Sequence, residues 1–108
     1  MPQLIFKGVE QARVQAISKA LVDELQQLVD CPRDYFTLEV PQTAYVFDGE
    51  YVAVSPLIQV NWFDRGQAVQ DRVAQAITRH LQQAGCSQVD VFFVPLAAAQ
   101  YYENGVHY

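Results

Sequence analysis

The two halves of the sequence repeat each other, and this repetition restricts the possible folds more than any other feature. A shift of 56 positions aligns core-type residues with core-type residues: Leu4 with Val60, Phe6 with Trp62, Leu21 with Ile77, and Leu25 with Leu81. After a slip of one residue, Cys31 aligns with Cys86 and residues 36–40 align with residues 91–95. Because one register holds through a strand-like segment, a helix-like segment and a second strand-like segment, we infer an internal duplication. The pseudo-repeats cover residues 2–40 and 57–95 approximately.

Each repeat contains one amphipathic helix. In the first, apolar residues recur at spacings of three and four between residues 10 and 30, which places them on one face: Val14, Ile17, Leu21, Leu25 and Leu28. Pro32 ends this segment. In the second, Val73, Ile77 and Leu81 form the apolar stripe. Asp64 with Gln67 is expected to cap its start, and Gly85 to close its end.

Strand-like segments flank both helices, so each repeat is expected to be a β-α-β unit with a right-handed crossover. Between the repeats, residues 44–54 carry Asp48-Gly49, which predicts a hairpin. The expected fold is therefore α/β (α+β) in a single domain over residues 1–108. It has a mostly parallel four-stranded sheet, two helices on one face and a small hairpin. A dimeric ferredoxin-like α+β protein, with antiparallel pairing, is the alternative.

The composition of the chain argues against several classes of function. Half of the 108 residues are hydrophobic and 18% are charged, which is enough to form a core. The net charge is −5 and no Lys/Arg cluster occurs, so neither nucleic acid nor membrane is an expected partner. Two cysteines are too few for a disulfide framework or a zinc site, and reduced thiols in the cytoplasm are expected. His80 and His107 lack metal-ligand partners at useful spacing, so neither metal nor cofactor is expected.

The helices leave one face of the expected sheet uncovered. Its strands carry apolar residues in both directions, as Ile5 between Leu4 and Phe6 illustrates. An uncovered apolar sheet is unstable in water, so we expect further copies of the chain to cover it.

Two β-α-β repeats in 108 residues that begin Met1-Pro2 resemble the tautomerase superfamily, which includes macrophage migration inhibitory factor and oxalocrotonate tautomerase. The likeness covers nearly the whole chain and is greatest for a group of uncharacterised bacterial members. It implies a homotrimer acting on a small keto or enol acid. It also implies that Pro2 is the catalytic base once Met1 is removed. An α-amino group has a pKa of about 7.7–8.0, and burial lowers it, so a neutral amine can transfer protons at pH 7.

The resemblance also suggests residues that would bind the substrate. Family members place cationic groups near the proline, and Arg33, Arg65 and the aromatic Tyr101 are the candidates here, with Arg13 near the first helix. Where inhibitory-factor proteins keep a lysine, this chain has Cys31. For each arginine the alternative is a solvated surface side chain. For the whole protein, the alternative is an oligomeric small-molecule-binding protein that keeps the scaffold without catalysis.

Overall fold

The computed structural model describes residues 1–108. In chain order its elements are β1 Gln3–Lys7, α1 Gln11–Val29, β2 Thr37–Glu39, β3 Tyr45–Phe47, β4 Glu50–Val52, β5 Leu57–Trp62, α2 Gln67–Gln83, β6 Asp90–Pro95, β7 Tyr102–Glu103 and β8 Val106–His107. Single 3-10 turns at Arg33–Tyr35 and Ala98–Gln100 complete the backbone. Neither helix combines the length and the apolar character that crossing a membrane would require.

The main sheet has four strands in the order β2-β1-β5-β6. β1 pairs with β2 in parallel and β5 pairs with β6 in parallel, whereas the central pair β1–β5 is antiparallel. Each helix therefore connects two neighbouring parallel strands. The predicted fold of two β-α-β units is confirmed, and the ferredoxin-like alternative is wrong.

The register of the sheet follows the offset found in the sequence. Leu4 lies opposite Val60, its counterpart 56 positions later, in the antiparallel pair β1–β5. Gln3 lies opposite Thr37 in the first unit, and Gln59 lies opposite Phe92 in the second. The two units thus use equivalent strand registers, including the slip of one residue between helix and second strand.

The core lies between the helices and one face of the sheet. Alternate residues of β1 and β5 are buried, in keeping with the two-residue period of a strand. From the helices, Leu21, Leu25, Ile77 and Leu81 are fully buried against them. Trp62 is also fully buried, and its ring packs on Phe93 with centroids 4.9 Å apart.

The opposite face of the sheet is more polar at its centre than expected. Gln59 Nε2 donates to Asn61 Oδ1 at 2.9 Å, and Asn61 Nδ2 donates to Gln3 Oε1 at 3.0 Å. Apolar side chains such as Leu57 and Phe92 are partly exposed around this ladder. Another surface that covered this face would have to satisfy amide groups as well as bury apolar ones.

The hairpin β3–β4 forms where the Asp48-Gly49 sequence predicts it. Asp48 has φ 54° and Gly49 has φ 78°, the left-handed values that a tight hairpin turn requires. The hairpin is separate from the main sheet, and its apolar side chains are exposed: Val46 by 69%, Phe47 by 76% and Tyr51 by 84%.

The expected cap of α2 is wrong. The residue that caps the helix is Gly66, at φ 87°, and no side chain caps it. The Asp64 carboxylate accepts the N–H of Gly66 at 2.8 Å instead, and Gln67 bonds forward to Asp71 at 2.8 Å. Because Gly66 extends the loop by two residues beyond Asp64, the carboxylate stabilises the turn before the helix rather than its first turn.

Candidate functional site

Pro2 lies immediately before β1 and is fully buried. Its carbonyl accepts the N–H of Thr37 at 3.3 Å, which ties the start of the chain to the neighbouring strand β2. Met1 is half-buried beside it. The N-terminus is therefore held in a defined place at one end of the sheet.

Arg65 lies in the loop between β5 and α2 and is directed to the same end of the molecule. Its Nε donates to the carbonyl of Val29 at 3.3 Å, and its Nη1 donates to the carbonyl of Phe63. The guanidinium also lies over the Trp62 ring, 5.4 Å from the centroid, where the ring face attracts a cation. No carboxylate forms a salt bridge with it. Arg65 is thus a fixed cation whose charge the protein leaves unneutralised.

The pKa of the terminal amine depends on burial and on these neighbouring charges. Burial lowers the pKa of the Met1 amine, and the positive charge of Arg65 lowers it further, while Cys31 and Glu103 act to raise it. Burial likewise raises the pKa of the Cys31 thiol, although Arg65 opposes that change. One end of the sheet therefore combines an amine that loses its proton more readily, a protonated thiol and an unpaired guanidinium.

An aromatic cluster stands beside Arg65. The Phe63 ring lies 5.4 Å from the rings of both Tyr101 and Tyr108, which themselves lie 5.0 Å apart. Tyr108 donates its hydroxyl to Glu103 Oε2 at 2.7 Å, and this bond raises the pKa of Tyr108 to about 12. Tyr101 and Tyr108, which flank the C-terminal hairpin β7–β8, thus pack on Phe63, the residue that follows β5.

Arg33 makes its contacts elsewhere. Its guanidinium forms a salt bridge with Asp23 at 2.6 Å and reaches Gln26 and the carbonyl of Lys19, all on α1. These contacts neutralise its charge on the exposed surface of the helix. Of the arginines singled out in the sequence, the structure places Arg65, and not Arg33, in electrostatic range of the chain terminus.

Arg13 lies at the opposite end of the sheet. Its Nη1 donates to Cys86 Sγ at 3.2 Å across a cavity of about 280 Å³, which Gly8 and Val9 also line. Cys86 belongs to the core, as expected for a packing residue. No chain terminus lies among the residues that line this cavity, so it lacks the amine that the Pro2 end has.

The histidines and cysteines suggest no metal centre. His80 bonds Glu24 at 2.9 Å in the helix–helix contact, and the His107 ring packs on Tyr102. No group of three or more His, Cys, Asp or Glu side chains is arranged to hold a metal ion.

Comparison with known proteins decides the family. Residues 1–107 match the family described as "Domain of unknown function (DUF1904)". The chain belongs to the DUF1904 family. A DUF1904 crystal structure from Sebaldella termitidis is 35% identical, with each chain fully covered and a TM-score of 0.93. No curated protein matches the sequence.

More distant structures show where this DUF1904 fold belongs. A macrophage migration inhibitory factor-like protein from Entamoeba histolytica is 14% identical, with 99% of this chain and 98% of that chain covered and a TM-score of 0.71. A structure described as "Q0 fused 4-OT wild type symmetric trimer" is 20% identical, with 98% of this chain and 95% of that chain covered and a TM-score of 0.76. The resemblance to the tautomerase superfamily is thus confirmed at the level of the fold.

Sequence reasoning missed Glu103, whose charge acts on the terminal amine, and the ring contact between Phe63 and Tyr108. In this DUF1904 chain Glu103 and Tyr108 belong to the C-terminal segment, whose packing on Phe63 is set by tertiary structure. One signal was present, because Asn104-Gly105 is a hairpin-turn sequence that would have paired Glu103 with Val106.

Proposed function

We propose that this DUF1904 protein is a cofactor-independent tautomerase that moves a proton on a small keto or enol acid. Pro2 is the base in chains from which Met1 has been removed. The observation that carries the proposal is the buried Pro2 at the start of β1, beside a guanidinium that no carboxylate neutralises. A site of this kind needs an acidic substrate to balance the charge of Arg65.

The chemistry follows from these groups. Pro2 is more deeply buried than Met1, so burial disfavours the charged form of its amine and supports a neutral nitrogen near pH 7. That nitrogen takes a proton from the carbon next to a carbonyl, and the electron pair moves onto the carbonyl oxygen as an enolate. The ammonium then returns the proton to oxygen or to another carbon. Arg65 binds the carboxylate by charge-assisted hydrogen bonds, and Tyr101 contributes to the aromatic wall.

Self-association is part of the proposal. The exposed hairpin residues Val46, Phe47 and Tyr51 form an apolar surface that a protomer alone leaves in water. The 4-OT structure named above is described as a symmetric trimer, and we propose a homotrimer for this chain too. We also propose a cytoplasmic location, where the free thiols of Cys31 and Cys86 remain reduced.

A non-catalytic binding protein is the second candidate, and the observation that favours it is that backbone carbonyl groups hold Arg65 in place without any part played by the Pro2 nitrogen. While Met1 is attached, the Pro2 nitrogen is an amide and cannot accept a proton. The hydrogen bonds of Arg65 and the ring contacts of the aromatic wall do not involve Met1, so such a chain could still bind a small carboxylate. The two candidates therefore share a binding site and differ in the state of one nitrogen.

The test compares chains with and without Met1, with mass spectrometry to establish which form is present. Exchange of the C3 protons of pyruvate and 2-oxobutanoate with D₂O is followed by proton NMR. The Met1-free chain should accelerate exchange, and its rate should rise with pH as the amine loses its proton. Pro2→Ala in the Met1-free form keeps an amine and should retain the fold at reduced activity. Equal rates with and without Met1 would show that Pro2 is not the base. Binding without exchange in either form would favour the second candidate.

A further inference from the structure

The cavity at the Arg13 end of the sheet is formed where three segments of the chain meet. Residues 8–13 end β1 and begin α1, residues 54–56 lead into β5, and residues 85–88 follow α2. Gly8 allows the first two segments to approach each other, since a Cβ there would lie 3.0 Å from the Val54 side chain. The volume of about 280 Å³ lies just below the range of about 300–1,000 Å³ that is typical of sites for drug-sized ligands. The cavity is therefore sized for a small metabolite.

Two opposite charges line this cavity without neutralising each other. Glu10 and Arg13 are about one helix turn apart, and the backbone N–H of Arg13 donates to the carbonyl of Glu10 at 3.1 Å. Neither side chain forms a salt bridge, either with the other or with a further group. The Arg13 guanidinium donates instead to the sulfur of Cys86, a core residue that is 6% exposed. A cation with a fixed anchor and a neighbouring anion are thus both open to a ligand.

We propose that this cavity binds a small zwitterionic amino acid, whose carboxylate pairs with Arg13 and whose ammonium group pairs with Glu10. A carboxylate alone would be attracted by Arg13 and repelled by Glu10, and a simple amine would meet the reverse. An amino acid satisfies both charges by charge-assisted hydrogen bonds. The cavity is also lined by Ser55, Ser87 and Gln88, whose hydroxyl and amide groups favour a ligand with a polar side chain.

This site is separate from the candidate site at the chain terminus. Pro2, Arg65 and Tyr101 do not line the cavity, and Gly8 and Pro2 lie at opposite ends of β1. The proposal concerns binding alone and involves no proton transfer. It therefore goes beyond the proposed tautomerase, and neither proposal depends on the other.

L-Serine and its two partial analogues test the proposal. Ethanolamine lacks the carboxylate of serine and 3-hydroxypropanoate lacks its ammonium group, while all three compounds keep the hydroxyl. Each compound is titrated into the ¹⁵N-labelled protein, and the backbone amides of Gly8, Gly85 and Ser87 report on this cavity. We expect a saturable shift with serine at millimolar concentration. Either analogue should bind about tenfold more weakly, as for the loss of one charge-assisted hydrogen bond.

Charge variants of the two residues distinguish contact with the ligand from a structural role. Arg13→Gln should weaken serine binding about tenfold and strengthen ethanolamine binding, because the charge that repels the amine is gone. Glu10→Gln should weaken serine binding to a similar extent and strengthen that of 3-hydroxypropanoate instead. A variant that merely disturbed the fold would weaken all three compounds and would also change the circular dichroism spectrum.

Arg72→Gln and Glu50→Gln are matched controls, because they remove the same charges from exposed positions outside the cavity. Each should change serine binding less than about twofold. The absence of a saturable shift with serine up to about 50 mM, well above the range expected for so small a ligand, would overturn the inference. Equal losses in the cavity and control variants would do the same. So would shifts confined to amides at the other end of the sheet, such as that of Tyr101.

Discussion

Glu24 and Arg79 join the two helices through a pair of parallel hydrogen bonds, each 2.8 Å long. The same Glu24 carboxylate lies 2.9 Å from His80 Nε2, and Glu24 and His80 are themselves counterparts 56 positions apart. The cross-helix contact therefore lies near the pseudo-symmetry axis of the fold. The hydrogen bond from Arg79 is the main reason that the pKa of Glu24 falls to about 2, with the His80 bond second.

Glu24→Gln should lower the free energy of unfolding by about 1 kcal/mol at pH 7. The bidentate hydrogen bonding between Arg79 and Glu24 is favourable. The two side chains are 49% and 32% exposed, however, so solvent screens the ion pair. Urea denaturation with circular dichroism measures the difference. Glu50→Gln, on the exposed hairpin, is the control and should change stability little. A loss as large as 3 kcal/mol or so would mean that the pair behaves as a buried one.

The contribution of Glu24 should also depend on pH, with a sign set by its lowered pKa. Glu24 has a folded pKa of about 2 against an ordinary value of 4.5. Its stabilisation is therefore fully present above pH 4.5 and is lost as the pH falls through about 2. Urea titrations of wild type and Glu24→Gln at a series of pH values should show a constant gap above about pH 5.5 that closes towards pH 2. A gap that persisted at pH 2 would mean that the carboxylate does not carry the effect.

Most of the fold could be predicted from the sequence because its signals are local or repeated. The heptad-like spacing of Val14, Leu21 and Leu25 specifies a helix face, and Asp48-Gly49 specifies a turn. The 56-residue offset between Leu4 and Val60 gave the equivalence of the two halves. The cap of α2 was not predictable in this way, since Gly66 displaces the helix start through a backbone conformation that the pattern of side chains does not encode.

The site was predictable only in part. Pro2 and Arg65 were found from a family resemblance, and the structure brings them to one end of the sheet. Arg33 was a candidate alongside Arg65 in the sequence, but the Asp23 carboxylate on α1 binds it. Pairing of this kind depends on where α1 and the following 3-10 turn meet. The same limit applies to Glu103, which depends on docking of the C-terminal hairpin.

Assembly should depend on the exposed hairpin. Phe47 is 76% exposed and Val46 is 69% exposed, so a charge placed there should weaken an apolar contact between copies without disturbing the protomer core. Sedimentation equilibrium of the wild type should give about three chains per particle, as proposed above on the fold of the 4-OT structure. Phe47→Glu should shift the particles towards monomer while circular dichroism stays unchanged. A wild-type protein that is monomeric at micromolar concentration would contradict the proposed trimer. If Phe47→Glu remains trimeric, the interface between copies does not include Phe47.

Arg65 and Arg33 offer a matched pair for the binding site, since both are arginines near the ends of the helices and only one lacks a carboxylate partner. Arg65→Gln should weaken binding of a small monocarboxylate by about 10- to 100-fold, the range expected for loss of a charge-assisted hydrogen bond. Arg33→Gln should change it less than about twofold, because the charge it removes is already neutralised by Asp23.

Titration of pyruvate into the ¹⁵N-labelled protein, followed by NMR chemical shifts, measures both affinities without requiring turnover. If the Met1-free chain is active, Arg65→Gln should raise KM more than it lowers kcat, since the substrate carboxylate keeps its charge throughout proton transfer. Arg65→Lys should recover only part of the affinity, because an ammonium cannot hold two carbonyl groups and a carboxylate in one plane. Equal losses in the Arg65 and Arg33 variants would show that the ligand responds to the total charge of the protein rather than to the guanidinium fixed between Val29 and Phe63.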